Sequence, residues 1–181
     1  PLLLGSLRWL HEEGLDTTPW QADIARFAAQ GVIASMQPSH AISDLYFAPS
    51  RLGADRLAGA YAWRSLLDTG AVICAGSDAP VEKGDPLIEF YAATYRHDLT
   101  GAAGSDWHLD QAVSRDQALA MFTTAAAFAT FSEAERGKIA VGQRADLSAF
   151  SADLMTAPPA DIAAAHAVLT VSEGRITHEA P

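Results

Sequence analysis

The chain has 181 residues, enough for one domain or a domain and a half. Its hydrophobic content of 49% and mean hydropathy of +0.06 suffice for a packed core and exclude global disorder. A net charge of −10 and an isoelectric point near 4.8 exclude nucleic acid or an anionic membrane surface as partner, because both demand a basic face.

Residues 1–17 are poorly patterned, with a short helical segment over Ser6 to Glu13 and His11 as a surface residue on it. Leu2-Leu3-Leu4 is too short for the apolar region of a signal peptide and lacks a basic flank. No apolar run approaches the roughly 20 residues that span a bilayer, and a cytoplasmic location is the expectation. Thr18-Pro19-Trp20 opens a helix, with a hydroxyl cap, proline at the first helical position, and Ile24, Phe27 and Ala28 on one face. Gly31 ends it. Gly31 to Gln37 then reads as a strand buried on both faces and stopped by Pro38, with His40 at its mouth.

A polar loop is expected from Ser39 to about Leu52, and one long helix from Ala54 to Asp68, with Leu57, Ala60, Tyr61 and Leu67 as its stripe and Leu66 beside it. Tyr61 and Trp63 read as helix packing. Ala71-Val72-Ile73-Cys74-Ala75 is a second buried strand, bounded by Gly70 and Gly76. Ser77 and Asp78 follow at its C-terminal mouth, and Pro80, which has no N–H, stops the strand from continuing. A carboxylate there stands where parallel α/β architectures keep catalytic residues; a capped turn explains Ser-Asp-x-Pro equally well. Cys74 is the single cysteine, which excludes an intrachain disulfide and a thiolate cluster. It reads as a small core residue.

After a loop at Glu82 to Asp85, Pro86 opens a helix to about Arg96 that carries Leu87, Phe90, Tyr91 and Tyr95. Asp98 to Asp110 is irregular and suits a flap. Ser114-Arg115-Asp116-Gln117 resembles a capping box for a helix to about Thr130, with Leu119, Phe122 and Phe128 inward. From Phe131 the texture changes to short β-prone pieces punctuated by glycine, then a loop with a helical turn over Ala152 to Ala164. Ala165 to Val171, Glu173-Gly174 and Arg175 to His178 form a hairpin pattern. Helix, strand, helix, strand with short links predicts a parallel sheet with covering helices. Residues 1–130 are therefore read as an α/β domain and residues 131–181 as a small antiparallel β unit.

Ala34 to His40, Ala60 to Leu67, Gly76 to Val81, Gly137 to Leu147 and Val171 to Ile176 together resemble the amidohydrolase superfamily. The branch they resemble is the amidohydrolase 3, or YtcJ-like, group of metal-dependent hydrolases, in consistent order from Gly31 to His178. The resemblance implies the C-terminal part of a (β/α)8 TIM barrel, with its last two strands and covering helices, followed by part of a β-sandwich. It implies that Asp78 is both a metal contact and the catalytic acid/base. It also implies hydrolysis of an amide or other C–N bond of a small molecule, with a divalent metal, zinc foremost, as cofactor. His40 falls where the family places substrate-facing groups. Arg51 near it suits pairing with a substrate carboxylate, and a plain loop role fits Arg51 and Asp44 as well.

The departures matter as much. The His-x-His pair of the family is absent, and Leu15 to Trp20 has no histidine where the family carries one. One Asp78 cannot hold a catalytic ion, which needs about three protein ligands. Two barrel strands leave an open edge: either another chain supplies the missing portion, or two copies pair edges in a homo-oligomer, or the fold rearranges. The alternative reading is therefore a non-catalytic scaffold or oligomerisation remnant that binds no metal. His97 and His108 read as solvated loop residues, and His166 and His178 as surface or sheet residues. Ser77 has no His-Asp partnership that would make it a nucleophile. The substrate is not legible, because this superfamily spans many substrates on one fold.

Overall fold

The computed structural model describes residues 20–101 and 107–181. The expected Ser6–Glu13 segment, His11 and the Thr18-Pro19 cap lie outside the described residues, as does part of the Asp98–Asp110 stretch. The first described helix, α1, runs Trp20–Gln30. Gly31, at φ 65°, closes it. Its N–H and that of Val32 return to Ala28 O and Phe27 O at 3.1 and 2.9 Å.

Strand β1 (Ala34–Met36) pairs in parallel with β2 (Ile73–Ala75), in the register Ala34 to Ile73 and Met36 to Ala75. The ladder extends at both ends: Ala34 N–H donates to Val72 O at 2.9 Å, and Gly76 N–H donates to Met36 O at 3.1 Å. The second bond brings the mouths of the two strands level. The segments that carry His40 and Asp78 therefore leave the sheet side by side.

Between the strands lie α2 (Pro38–Ser43), a 3-10 turn (Asp44–Tyr46), α3 (Ala48–Leu52), α4 (Ala54–Leu57) and α5 (Trp63–Asp68). After β2 come α6 (Pro86–Tyr95), α7 (Arg115–Phe122) and α8 (Thr124–Ala129). A three-stranded antiparallel sheet follows, in the order β3 (Leu147–Phe150), β4 (Ala167–Ser172), β5 (Arg175–Glu179), with α9 (Pro159–Ala163) between β3 and β4. The expected hairpin is present, with Glu173 and Gly174 at φ 52° and 77° in its turn. No described helix is long and apolar enough to cross a membrane.

Ala34 and Ile73 from the strands, Trp63 and Leu66 from α5, Phe90, Tyr91 and Ala93 from α6, and Ala118 and Met121 from α7 form one buried cluster. Ile162 of α9 joins it, fully buried. Arg115 of α7 reaches the same connection, donating from Nη2 to Ala157 O at 2.6 Å.

Four local expectations are corrected. The Ser39–Leu52 stretch is not a loop but α2, the 3-10 turn and α3. Pro38 and Pro49, each placed in a first helical turn where no N–H is needed, start the two helices. The long Ala54–Asp68 helix is broken at Tyr61, which takes φ 53°. Its hydroxyl donates to Asp44 Oδ2 at 2.6 Å, and its carbonyl accepts from Arg96 Nη1 at 3.2 Å, so tertiary bonds override helical continuity.

The capping box of Ser114 and Gln117 is present, but its helix stops at Phe122 and restarts at Thr124. The rotation leaves Leu119 41% and Phe128 46% exposed, and places Ala118, Met121 and Ala127 inward instead. Finally, β1 is not buried on both faces: Ser35 is exposed and Val32, just before the strand, is 43% exposed. Among the described residues β1 pairs with β2 alone, which leaves its other edge unpaired and open.

Candidate functional site

Asp78 follows β2 through Gly76 and Ser77. Its backbone is left-handed at φ 55°, a conformation that Asp tolerates better than most residues. Its carbonyl accepts from Val81 N–H at 2.8 Å, closing a turn across the cis Ala79–Pro80 bond. The side chain is exposed. The turn thus presents a carboxylate to solvent at the C-terminal mouth of the parallel pair.

His40 leaves the neighbouring mouth on the first turn of α2. It is 6% exposed, and its Nε2 is buried without a hydrogen-bond partner. An imidazole nitrogen held away from water without a partner is costly, which marks the position as one that packing alone does not explain. Arg51 sits on α3 with its side chain exposed, and its N–H caps Phe47 O at 3.1 Å. Asp44, the other polar candidate near it, is bound to Tyr61. That bond, together with desolvation as the larger cause, pushes the Tyr61 phenol far above its ordinary range.

Two groups at this end of the molecule escaped the sequence reading. Glu89, on α6, is 1% exposed and accepts the Ser39 N–H on Oε2 at 2.8 Å. Burial pushes its carboxyl above the usual carboxylate range. Ser39 pulls it back in part, and the charges of Glu82 and His40 act in opposite directions. Arg96, at the left-handed C-cap of α6, is fully buried over the Trp63 ring and donates to Tyr61 O and Trp107 O. Desolvation lowers its pKa to about 10. The signal for Glu89 was present in the sequence: a lone carboxylate inside the apolar run Leu87-Ile88-Glu89-Phe90-Tyr91.

His108 is half-buried, its ring against Trp107 at 4.7 Å between centroids. Burial first, and Arg96 second, lower its pKa. It is therefore not the solvated loop residue the sequence suggested. His178 lies on β5 as expected, and His166 stands just before β4, bonded through Nδ1 to Ser151 at 3.2 Å. Among the described residues no group of three or more His, Cys, Asp or Glu side chains could hold a metal ion. These side chains do not by themselves fit a catalytic ion.

The described residues are thus mixed α/β, a parallel strand pair with an exposed carboxylate at its mouth followed by an antiparallel sheet. The family model of the amidohydrolase family (Amidohydro_3) matches residues 7–178, and the chain belongs to this family. It is 31% identical over 172 residues to a Bacillus subtilis (strain 168) protein named as the amidohydrolase YtcJ, a match that covers 95% of this chain and 32% of YtcJ. It is 29% identical over 116 residues to an N-substituted formamide deformylase of Arthrobacter pascens, covering 64% of this chain and 21% of that protein. The chain thus spans about a third or less of the length of these relatives.

Among solved structures, an uncharacterized metal-dependent hydrolase from Pyrococcus horikoshii OT3 superposes with a TM-score of 0.61 at 27% identity, over 68% of this chain and 25% of that one. An amidohydrolase from Thermotoga maritima MSB8 superposes with a TM-score of 0.62 over 98% of this chain and 41% of that one. At 16% identity, that second likeness speaks for the fold alone.

Proposed function

We propose that this chain forms part of a metal-dependent hydrolase that cleaves an amide or other C–N bond of a small molecule, with Asp78 as its catalytic carboxylate. The observation that carries the reading is the exposed Asp78, held left-handed at the mouth of a strand whose ladder is level with that of β1. In this role Asp78 takes a proton from the attacking water and returns it to the leaving nitrogen. His40 and Arg51 lie on the substrate side, with Arg51 free to pair a carboxylate.

In this reading β1 and β2 are the last two strands of a (β/α)8 barrel, and residues 131–181 are part of a composite sandwich. Two supports are structural. Only two strands pair in the parallel sheet among the described residues, too few to close a barrel. The antiparallel sheet leaves Leu147 of β3 38% and Ile176 of β5 61% exposed, and every residue of β5 is exposed, as in a sheet layer whose covering layer lies elsewhere. The divalent ion, zinc foremost, would draw its remaining ligands from outside the described residues.

The absence of a ligand cluster among the described residues favours a second reading, a scaffold without a metal centre. Metal analysis and turnover of small N-formyl and N-acyl amines by the purified protein test the two. Bound zinc with turnover that Asp78→Asn abolishes supports the hydrolase. Turnover that persists in Asp78→Asn removes the assigned role, and the lack of both metal and turnover leaves the scaffold.

A further inference from the structure

Two carboxylates tie the segment after β1 to the segment after β2. Glu89, on α6, accepts the backbone N–H of Ser39 at 2.8 Å, and Glu82, in the loop before α6, accepts the Ser43 hydroxyl at 2.8 Å. Ser39 and Ser43 are both on α2 and flank His40. Asp85 fixes the register of α6 by accepting Leu87 N–H at 2.9 Å, and so sets where Glu89 stands. The arrangement costs something. Glu89 is 1% exposed and its second oxygen, Oε1, has no partner. His40 Nε2 is likewise buried and without a partner. A leucine would fill the same space without that penalty. A buried carboxylate kept at such a cost, bonded to the backbone of the residue before His40, points to a role beyond packing.

We propose that Glu89 is a positioning residue for His40: its carboxylate holds the first turn of α2 against α6 and so fixes His40 beside the mouth that carries Asp78. This rests on the hydrolase reading only for what His40 then does; the positioning itself is a property of the folded chain. A bond to a backbone N–H suits the task, because it constrains the main chain at the residue before His40.

The test compares wild type, Glu89→Gln and Glu89→Leu by hydrogen exchange at the Ser39 amide and by mass-spectrometric rates of carbethoxylation at each histidine. Gln keeps an acceptor at the same reach; Leu removes it. Glu89→Leu is expected to speed Ser39 exchange by about tenfold or more, and to raise His40 modification several-fold. Exposed His178 should be unaffected, and Glu89→Gln should stay within about threefold of wild type on both readings. Glu89→Met, unbranched and adaptable, serves if Glu89→Leu does not fold.

Unchanged Ser39 exchange and His40 modification in the folded apolar variant overturn the proposal. So does a Glu89→Gln that behaves like Glu89→Leu, since the acceptor then is not what holds the turn. Neither readout involves turnover. Failure of the hydrolase reading therefore shows separately, as absent activity in a protein whose His40 still responds to Glu89.

Discussion

The guanidinium carbon of Arg96 stands 4.1 Å from the centroid of the Trp63 ring, and both side chains are completely buried. The same guanidinium bonds the carbonyls of Tyr61 and Trp107, so one cation closes the turn that interrupts the helical run and anchors the loop after α6. A lysine has neither the flat face nor the fork. Arg96→Lys is expected to lose about 2–4 kcal/mol of stability, the sum of the stacking and of carbonyls left without a donor. Urea unfolding measures it; a loss under about 0.5 kcal/mol would show that the buried cation is incidental.

Tyr61→Phe isolates the bond to Asp44. At neutral pH it should cost about 1 kcal/mol. The alkaline side carries a sharper signature. The folded phenol titrates far above the unfolded value of 10.0, so the folded state holds its proton while the unfolded chain releases it. Stability from this group is complete below pH 10 and is lost as pH rises further. The advantage of wild type over Tyr61→Phe should therefore shrink above that pH. A gap that stays constant to high pH refutes the assignment.

Glu89 makes the opposite demand near neutrality. Its folded pKa is raised from 4.5, chiefly by burial, so the folded protein binds the proton more tightly than the unfolded one does. The sign follows: the contribution is greatest below pH 4.5 and falls as pH rises through the folded pKa. Glu89→Gln, which cannot ionise, should be more stable than wild type at pH 7 and show a flatter stability profile from about pH 4.5 upward. Denaturant midpoints across that range decide it, and parallel profiles for the two proteins count against a buried ionised carboxylate.

These three groups show where the sequence spoke and where it did not. The two strands, the proline-started α6, the Ser114 capping box and the closing hairpin all rest on local chemistry, and local chemistry is readable. The breaks at Tyr61 and Thr123 are not: partners remote in sequence, Asp44 and Arg96, bond Tyr61, and the chain returns at Gly137 close against the second break. The turn that presents Asp78 was legible from Gly76 and Pro80, which stop the strand and let the chain turn. Glu89 stood out only as a lone carboxylate in an apolar run, and nothing in a linear pattern says that a backbone N–H from Ser39 will meet it.

Asp78 itself should contribute little to stability. It is exposed and its side chain holds nothing in place among the described residues. Asp78→Asn keeps a residue that tolerates φ 55°, and its unfolding midpoint should match wild type to within about 0.5 kcal/mol. Asp78→Val, β-branched in a left-handed position, should cost about 1–2 kcal/mol. In an active preparation Asp78→Asn is expected to lower kcat by about 10²–10⁴-fold. Equal loss of stability and activity in Asp78→Asn would mean that the residue shapes the turn and does no chemistry.

The approach at Gly137 can be tested on its own. Its φ is 98°, and a Cβ built there would lie 2.8 Å from Ala127 Cβ and 3.1 Å from Thr123 O. The first contact is closer than side-chain carbons come, and the second is to backbone that cannot rotate away. Gly137→Ala must therefore push the segment after residue 130 off the α7–α8 junction, in addition to straining its own backbone. A cost of about 2–4 kcal/mol is expected. Gly142 is the control: its φ of 89° is similar, yet nothing lies within 4 Å of the added carbon. Gly142→Ala should show the backbone strain alone, about 1 kcal/mol. Thermal unfolding of the two variants separates close packing from conformational strain, and equal losses would show that residue 137 does not seat the segment on the helices.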